Sequence, residues 1–362
     1  MNRFAHLASV LLLTLSLLAA CSSTPAPATS SAPSAYGGLL TLELTPQDTL
    51  ASLSARYGGA VLVYAPEAGF AVLGLRQDAE TPLQLASLGA LERDRNAVAI
   101  PELVANGWGA WGGGWGAWGG GWGAWGGGWG AWGGGWGAWF PENAAAWAQI
   151  GLLEGQAASA RLGAGVKVAV LDTGLDLEHP ALAGRLAPRA QWRDFVDGDT
   201  LPQDEAGGAG YGHGTAVAGL LVQAAPQVTL LPLRVLRPDG SGDLSAVVSA
   251  IDWAVRQGSD LIHLSLGSRE DARALARLVR YAAARGVLVG NEGADPVSYP
   301  AAYAARPGVL GKRVVSVGAT DAQDRKSTFS NYGAALELLA PGEGLRSLAP
   351  GARPLSVSGT SF

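Results

Sequence analysis

The strongest constraint on the fold is an alternation of short apolar segments with helical patterns that runs through residues 144–362. The apolar segments are rich in β-branched residues and short, as in the buried strands of a parallel sheet. The predicted strands are 166–171, 228–235, 261–266, 287–290 and 314–317, and the predicted helices are 246–256 and 272–284. Such alternation predicts an α/β fold with a doubly wound parallel sheet, whose ligand site lies beyond the carboxyl ends of the strands.

Three motifs place reactive side chains around this predicted sheet. VAVLDTG delivers Asp172 to the carboxyl end of the first strand, and GHGTAVAG (residues 212–219) places His213 at a turn into a helix. The flanking glycines allow other groups to approach the imidazole closely. SGTS (residues 358–361) ends in Ser361. The order acid, imidazole, hydroxyl is one of the three chain orders in which Ser-His-Asp triads occur, so the motifs indicate nucleophilic catalysis.

His213 is the best candidate for the base among the four histidines. His6 lies in an N-terminal segment that we expect to be removed, and His179 precedes a proline in a loop, which favours a structural role. His263 lies within a predicted buried strand, which favours a hydrogen-bonded core residue. No pair of His or Cys residues has the spacing of metal ligands, so the pattern disfavours a metal-dependent hydrolase.

Taken together, five motifs resemble those of the subtilisin-like serine peptidases over residues 147–362: VAVLDTG, GHGTAVAG, LSLG (264–267), GNEG (290–293) and SGTS. The resemblance implies a serine endopeptidase made as a zymogen, which hydrolyses polypeptide substrates through an acyl-enzyme and requires no cofactor. It implies that Asp172 orients His213 and that His213 acts as general base and then general acid. It also implies that Ser361 is the nucleophile.

The same resemblance assigns further roles near these residues. Asn291 becomes the side-chain donor to the oxyanion, and Ser298 lies where the family lines the S1 pocket. Ser265, Leu266 and Gly267 match the segment that pairs with an extended substrate and helps to wall that pocket. One pocket side chain does not define a specificity, so the substrate preference is left open.

A small α+β domain is predicted ahead of the catalytic domain, over residues 38–105. Its pattern is βαββαβ, the ferredoxin-like split unit, with strands 39–44, 60–64, 70–75 and 97–100 and helices 46–57 and 82–91. It resembles the propeptide inhibitor of the same peptidases, which implies that the protein binds its own propeptide in cis. Residues 100–105 would then enter the cleft, and processing would fall between there and Ala144.

The N-terminus has the features of an export signal. Residues 1–21 combine Arg3, an apolar segment and the sequence Leu18-Ala19-Ala20-Cys21, which resembles a bacterial lipobox. We therefore expect a lipid on Cys21, a membrane anchor and a cell-envelope lipoprotein, with residues 22–37 as a tether. An ordinary signal peptide cut near Ala20, and hence a secreted protein, is the alternative. Cys21 is the only cysteine, so no intramolecular disulfide can form.

Residues 106–143 contain a glycine- and tryptophan-rich heptad repeat that begins at Gly107. Four glycines per heptad oppose a helix by roughly 4 kcal/mol, which favours a linker that tolerates length. Adsorption at a lipid interface or stacking on sugars is the alternative. This alternative role of the repeat supports a second hypothesis for the whole chain. The protein would then be a non-catalytic lipoprotein that binds a partner through this tract or through the ferredoxin-like domain.

Charge and acidic residues bear on partners and ions. The net charge is −5 and no basic run occurs, so we expect no nucleic-acid partner. Asp194, Asp197, Asp199 and Asp204 cluster ahead of His213 and could bind calcium. No spacing fixes the ligands, and a solvated acidic loop is an equal alternative, so no metal site is assigned.

The end of the chain is the one departure from the family pattern that bears on activity. In the family the nucleophile opens a long buried helix, whereas this sequence stops at Phe362, directly after Ser361. A serine without that helix lacks the preorganisation that a triad needs. We therefore expect the chain as written to be inactive and to come from a truncated or frameshifted reading frame.

Overall fold

The computed structural model describes residues 36–76, 98–101, 104–106, 140–268, 271–292, 298–330 and 332–362. Several sequence predictions lie outside these residues, namely the lipidation of Cys21, most of the tether, the helix at 82–91 and the repeat at 107–139. No helix in the part of the chain that the structure describes is long and apolar enough to cross a membrane.

The N-terminal region forms a four-stranded antiparallel sheet in the order β2-β3-β1-β4. Its strands are β1 (Tyr36–Glu43), β2 (Ala60–Ala65), β3 (Phe70–Arg76) and β4 (Val98–Pro101). Helix α1 (Leu50–Tyr57) packs Leu53 and Tyr57 on one face of this sheet. The opposite face joins the large core of the rest of the chain through residues such as Val63 and Phe70. Because its second predicted helix is not described, the complete ferredoxin-like unit stays a prediction.

Helix α1 begins later than the sequence pattern predicted. The expected start was Pro46, but Thr49 is the N-cap, and its hydroxyl accepts a hydrogen bond from the Ser52 N–H at 3.1 Å. The Ser52 hydroxyl in turn accepts from the Thr49 N–H at 2.8 Å. This reciprocal pair is a capping box, which satisfies two backbone donors and so sets the start of the helix.

The rest of the described chain is built on a seven-stranded parallel sheet in the order β13-β12-β11-β10-β6-β8-β7. The strands from 104 onward are β5 (Val104–Asn106), β6 (Lys167–Asp172), β7 (Arg193–Asp194), β8 (Thr229–Arg234), β9 (Ser241–Asp243), β10 (Leu261–Leu264), β11 (Leu288–Glu292), β12 (Val314–Thr320), β13 (Leu338–Pro341), β14 (Leu345–Ala349) and β15 (Arg353–Val357). Strands β5 and β9 form a separate antiparallel pair, as do β14 and β15. The helices are α2 (Ala144–Gln149), α3 (Leu152–Ala158), α4 (His213–Ala224), α5 (Leu244–Arg256), α6 (Arg273–Ala284) and α7 (Val309–Arg313).

Alternate side chains of β6 enter two different cores, one on each face of the sheet. Val168 and Val170 pack with residues of α4, whereas Ala169 and Leu171 pack with α5 and α6. This is the period-two pattern of a strand buried on both faces. The predicted α/β fold with a doubly wound parallel sheet is therefore confirmed.

The order of the strands locates a crevice at the end of β6. The chain continues from β6 through α4 to β8 on one side, and later places β10 on the other side. Ligands of open α/β sheets bind at such a switch point, beyond the carboxyl ends of the strands. Asp172 is the last residue of β6 and therefore lies at this position.

The predicted element boundaries needed small corrections at the ends. The strand predicted at 261–266 ends at Leu264, and the strand predicted at 314–317 continues to Thr320. Strand β13 and the β14–β15 hairpin were not predicted at all. Hydrogen bonding to a neighbouring strand decides where a strand ends, and apolar periodicity carries little of that information.

Candidate active site

Asp172 and His213 meet at the carboxyl edge of the sheet, although they lie 41 positions apart in the chain. Asp172 ends β6, and His213 is the first residue of α4, following Gly212, whose φ of 89° only glycine adopts readily. His213 Nδ1 lies 2.7 Å from Asp172 Oδ1, and the two side chains are 3% and 1% exposed. An ionised carboxylate only accepts hydrogen bonds, so Nδ1 carries the proton and Nε2 is the basic nitrogen of neutral His213.

Gly214 allows α4 to begin directly against the end of β6. A Cβ atom at this position would lie 2.1 Å from the carbonyl oxygen of Gly174 and 3.1 Å from the Cβ of Asp172. No side chain fits at such distances. The glycine following His213 therefore lets the imidazole approach the carboxylate, as the sequence motif suggested.

A second buried carboxylate, Asp204, holds the backbone on which both residues are mounted. Its Oδ1 accepts hydrogen bonds from the Gly212 N–H at 3.0 Å and the Thr173 hydroxyl at 3.3 Å. Its Oδ2 accepts from the Thr215 hydroxyl at 2.7 Å. Burial raises the pKa of Asp204 to about 7; these hydrogen bonds oppose that rise, and the charge of Asp172 adds to it. The sequence motifs did not single out Asp204 as a residue of this site.

The acidic loop that contains Asp204 is not solvated throughout, because part of it packs around the guanidinium of Arg234. Asp194 is buried and lies 2.8 Å from the guanidinium of Arg234, which also contacts Asp197 and Glu205 at 2.7 Å each. Burial raises the pKa of Asp194, whereas hydrogen bonds and the charge of Arg234 oppose this. Among the described residues, no group of three or more His, Cys, Asp or Glu side chains could hold a metal ion.

Ser361 lies in the same region, with 4% of its surface exposed. Its carbonyl oxygen accepts a long hydrogen bond of 3.4 Å from the Ser265 hydroxyl. The neighbouring ring of Phe362 lies 5.2 Å from the His213 ring, centroid to centroid. The Ser361 hydroxyl is buried without a hydrogen bond to any described residue, so in this conformation it is not bonded to His213.

His263 is hydrogen-bonded, as its place in a predicted strand led us to expect, and its partner is the Ser265 hydroxyl. Its Nε2 lies 2.8 Å from the Ser265 hydroxyl, and residues 263 and 265 share one face of the extended chain. Desolvation of the imidazole lowers the pKa of His263 to about 4; the charge of Asp172 opposes this shift and His213 adds to it. His263 lies two positions before Ser265 of the LSLG motif. This period-two spacing is the signal that could have identified their hydrogen bond.

Most of the remaining predicted residues lie within or just after strands β10 and β11. Ser265 and Leu266 are buried, and Gly267 packs so closely on Ser298 that a Cβ would lie 2.2 Å from its hydroxyl oxygen. Asn291 lies in β11, with its backbone in register with Leu264 of the neighbouring strand.

His179 has a different environment from that of the site. Its Nδ1 accepts the Ala181 N–H at 3.2 Å, which caps the short 3-10 helix Pro180–Leu182.

Comparison with known proteins identifies the family of this chain. The family model of the subtilases, peptidase family S8, matches residues 163–362. Subtilisin BL of Lederbergia lenta is 40% identical over 213 residues, which cover 55% of this chain and 72% of that protein. Thermitase of Thermoactinomyces vulgaris is 37% identical over 214 residues, which cover 55% and 71%. The crystal structure of a cold adapted subtilisin-like serine proteinase has 31% identity and a TM-score of 0.48, covering 56% of this chain and 72% of that one.

The chain belongs to the subtilase family. It is a subtilisin-like serine endopeptidase, and its substrates are polypeptides.

Proposed function

We propose that the protein cleaves peptide bonds through an acyl-enzyme in which Ser361 is the nucleophile, His213 the acid–base catalyst and Asp172 its orienting partner. The observation that carries this proposal is the 2.7 Å hydrogen bond between His213 Nδ1 and Asp172 in an almost fully buried setting. Such a bond fixes the imidazole tautomer that accepts a proton at Nε2 and stabilises the imidazolium formed on acceptance.

The reaction then follows from the positions of the proton. Nε2 of His213 takes the proton of the Ser361 hydroxyl while its oxygen bonds to the substrate carbonyl carbon. The C–N bond breaks as the imidazolium returns that proton to the leaving amine, and water releases the acyl group by the same steps in reverse order. We assign Asn291 as a donor to the oxyanion, a role worth about 3 kcal/mol in the transition state.

We infer that residues 38–105 act as an inhibitory propeptide in cis. The support is the antiparallel pairing of β5 with β9, in which Asn106 pairs with Ser241 and Val104 with Asp243. An extended peptide binds a peptidase edge by adding a strand in this way. Gly210, three residues before His213, donates a 2.7 Å hydrogen bond to the Pro238 carbonyl in the turn that leads into β9. Asn106, the last residue of β5, therefore pairs at the end of β9 that is nearer to this turn.

Contacts between the N-terminal sheet and α6 support the same inference. The Tyr281 hydroxyl donates to Glu67 at 2.8 Å, and Arg285 lies 3.0 Å from the same carboxylate. Phe70 packs edge-on against the Tyr281 ring, with centroids 5.5 Å apart. A sheet anchored by polar and aromatic contacts holds β5 against β9 until the chain is cut.

We also propose export, with Cys21 lipidated and the protein anchored to the membrane by that lipid. This rests on the sequence of residues 1–21 alone. Radiolabelled palmitate should enter the wild-type protein and not Cys21→Ser, which should leave the membrane fraction. Equal labelling of both proteins would exclude lipidation at this cysteine.

The triad is tested with a fluorophosphonate probe, followed by mapping of the labelled peptide. Label should appear on Ser361 and should be lost in Ser361→Ala and His213→Ala, whereas Ser358→Ala, in the same SGTS motif, should keep it. Asp172→Asn should lower kcat on a peptide anilide by about 10⁴-fold because it holds the wrong tautomer. Peptide hydrolysis by Ser361→Ala at the wild-type rate would refute the proposed nucleophile.

The zymogen is tested by sequencing the N-terminus of the protein isolated from cells. Wild type should begin between residues 106 and 144, and Ser361→Ala should remain uncut. A Ser361→Ala protein cut at the same bond would show that another peptidase does the processing.

A further inference from the structure

The proposed reaction gives no role to Asp204, a buried carboxylate beside the Asp172–His213 pair. It is 4% exposed, and the hydrogen bonds of its carboxylate come from residues that flank Asp172 and His213 in the chain. Thr173 follows Asp172 directly, and Gly212 precedes His213 directly. One carboxylate therefore joins the end of β6 to the start of α4.

The hydroxyl donors around this carboxylate can be assigned from their other partners. Thr173 donates to Asp204 while accepting the Gly214 N–H at 3.1 Å, and Thr215 donates to Asp204 while accepting the Asp176 N–H at 2.9 Å. Each threonine proton therefore points to Asp204, as does the Gly212 N–H. These donors and the backbone N–H of Thr215 converge on the carboxylate, so only its ionised form satisfies the whole arrangement.

We propose that ionised Asp204 is a positioning residue that holds the Asp172–His213 hydrogen bond in register. This rests on the proposed catalytic roles of that pair. A proton on Asp204 would add a further donor where several already converge, so at least one of these hydrogen bonds would break. The backbone at Gly212 or Thr173 would then shift, and the imidazole would move relative to its carboxylate.

The charged and titratable groups that face Asp204 determine the pH at which its carboxylate takes up this proton. Asp172 faces it from β6, and His213, hydrogen-bonded to Asp172, lies on α4 beside Thr215. In the loop, the neighbouring Glu205 carboxylate is bound to Arg234. Burial is the largest cause that raises the pKa of Asp204, to about 7, so its ionisation falls in the pH range where a serine peptidase with a histidine base operates.

The test compares wild type with Asp204→Asn, which keeps the size of the side chain and removes its charge. Asp199→Asn is the matched control, because Asp199 is an exposed carboxylate of the same loop whose Oδ1 accepts only the Leu201 N–H among the hydrogen bonds described for it. On a peptide anilide, Asp204→Asn should lower kcat about 10- to 100-fold with little change in KM, since the reacting groups are displaced and substrate contacts are retained. In wild type and in Asp199→Asn, log(kcat/KM) should fall at low pH with a slope approaching 2, from His213 and Asp204. The slope should be 1 in Asp204→Asn.

A second readout does not need turnover. The proton between His213 Nδ1 and Asp172 is observable by NMR in ¹⁵N-histidine-labelled protein. Its resonance should be shifted or broadened at pH 8 in Asp204→Asn and unchanged in Asp199→Asn. An unaltered resonance together with an unaltered slope would overturn the proposal. Because this proton reports on Asp172 and His213 alone, the result is independent of whether Ser361 is the nucleophile.

Thr215→Val provides a test if Asp204→Asn does not fold. It is nearly isosteric and removes one hydrogen bond to the ionised carboxylate, so the ionisation of Asp204 should move to higher pH. The acidic limb of the pH profile and the NMR change should move with it. An acidic limb at the wild-type pH in a folded Thr215→Val protein would contradict the proposal.

Discussion

Arg234 and Asp194 form an ion pair of 2.8 Å in which the two side chains are 2% and 1% exposed. They end two adjacent parallel strands and lie in register with each other. Because Arg234 also contacts Asp197 and Glu205, this one cation joins the loop that carries Asp204 to the sheet. The position of Asp204 near His213 therefore depends on a residue that is itself remote from the proposed chemistry.

Replacing Arg234 with Met should lower the free energy of unfolding by about 3–5 kcal/mol. The substitution leaves Asp194 buried without its cation, and an uncompensated buried charge has a cost of this size. Urea denaturation at pH 7.5 measures the change. Arg325→Met is the control, because the Arg325 side chain is itself exposed and its removal should change the free energy of unfolding far less. Equal effects of the two variants would contradict this account.

The same substitution, glycine to alanine, should have opposite effects at two helical positions. Gly214→Ala should destabilise the protein by at least about 3 kcal/mol, since the new Cβ meets the Gly174 carbonyl at 2.1 Å and only a backbone shift relieves this contact. Gly155→Ala, on the exposed side of α3 with no atom within 4 Å of the new Cβ, should stabilise it by about 0.5–1 kcal/mol. Thermal unfolding of both variants shows whether steric strain or helix propensity dominates the change in stability at each position.

Asp204 should make the folded state less stable as the pH rises. Its folded-state pKa of about 7 lies above the ordinary value of 3.8, so between these pH values the folded protein holds a proton that the unfolded chain has released. The free energy of unfolding therefore falls through this window, by about 4 kcal/mol at most from this group. Urea denaturation between pH 4 and pH 8 should show the fall in wild type and in Asp199→Asn but not in Asp204→Asn. Parallel curves of unfolding free energy against pH for wild type and Asp204→Asn would rule out this contribution of Asp204.

The contact of Glu67 with α6 should make the attachment of the N-terminal sheet sensitive to acid. Burial opposes ionisation of Glu67, but hydrogen bonds from its own backbone and from Tyr281, with the charge of Arg285, lower the pKa overall. The stabilising effect is therefore present above the ordinary pKa of a glutamate and is lost as the pH falls below it. In processed protein, gel filtration should detect release of the N-terminal fragment at low pH.

Tyr281→Phe should move this release to higher pH, because it removes one hydrogen bond to the carboxylate. Tyr332→Phe, at an exposed tyrosine, is the control and should leave the release pH unchanged.

Much of the fold could be predicted from local pattern. The strand that ends in Asp172, the helix that begins at His213 and the two-sided burial of β6 follow from apolar periodicity and from glycines at turns. Boundaries were less accurate, as at α1, where a capping box and not Pro46 determines the start. The hairpin β14–β15 was missed because each of its strands is stabilised by the other and has only a weak pattern of its own.

The sequence by itself predicted the main alternation of strands and helices and the candidates for the acid, the imidazole and the hydroxyl, because backbone conformation and apolar periodicity are local properties. Only the tertiary structure decided the environment of each carboxylate in the acidic loop. Asp194 neutralises an arginine 40 positions away, and Asp204 binds a threonine 31 positions before it. Whether a carboxylate is solvated, paired or buried among donors depends on groups that the fold brings from distant parts of the chain. No local pattern could therefore distinguish the environment of Asp194 from that of Asp204.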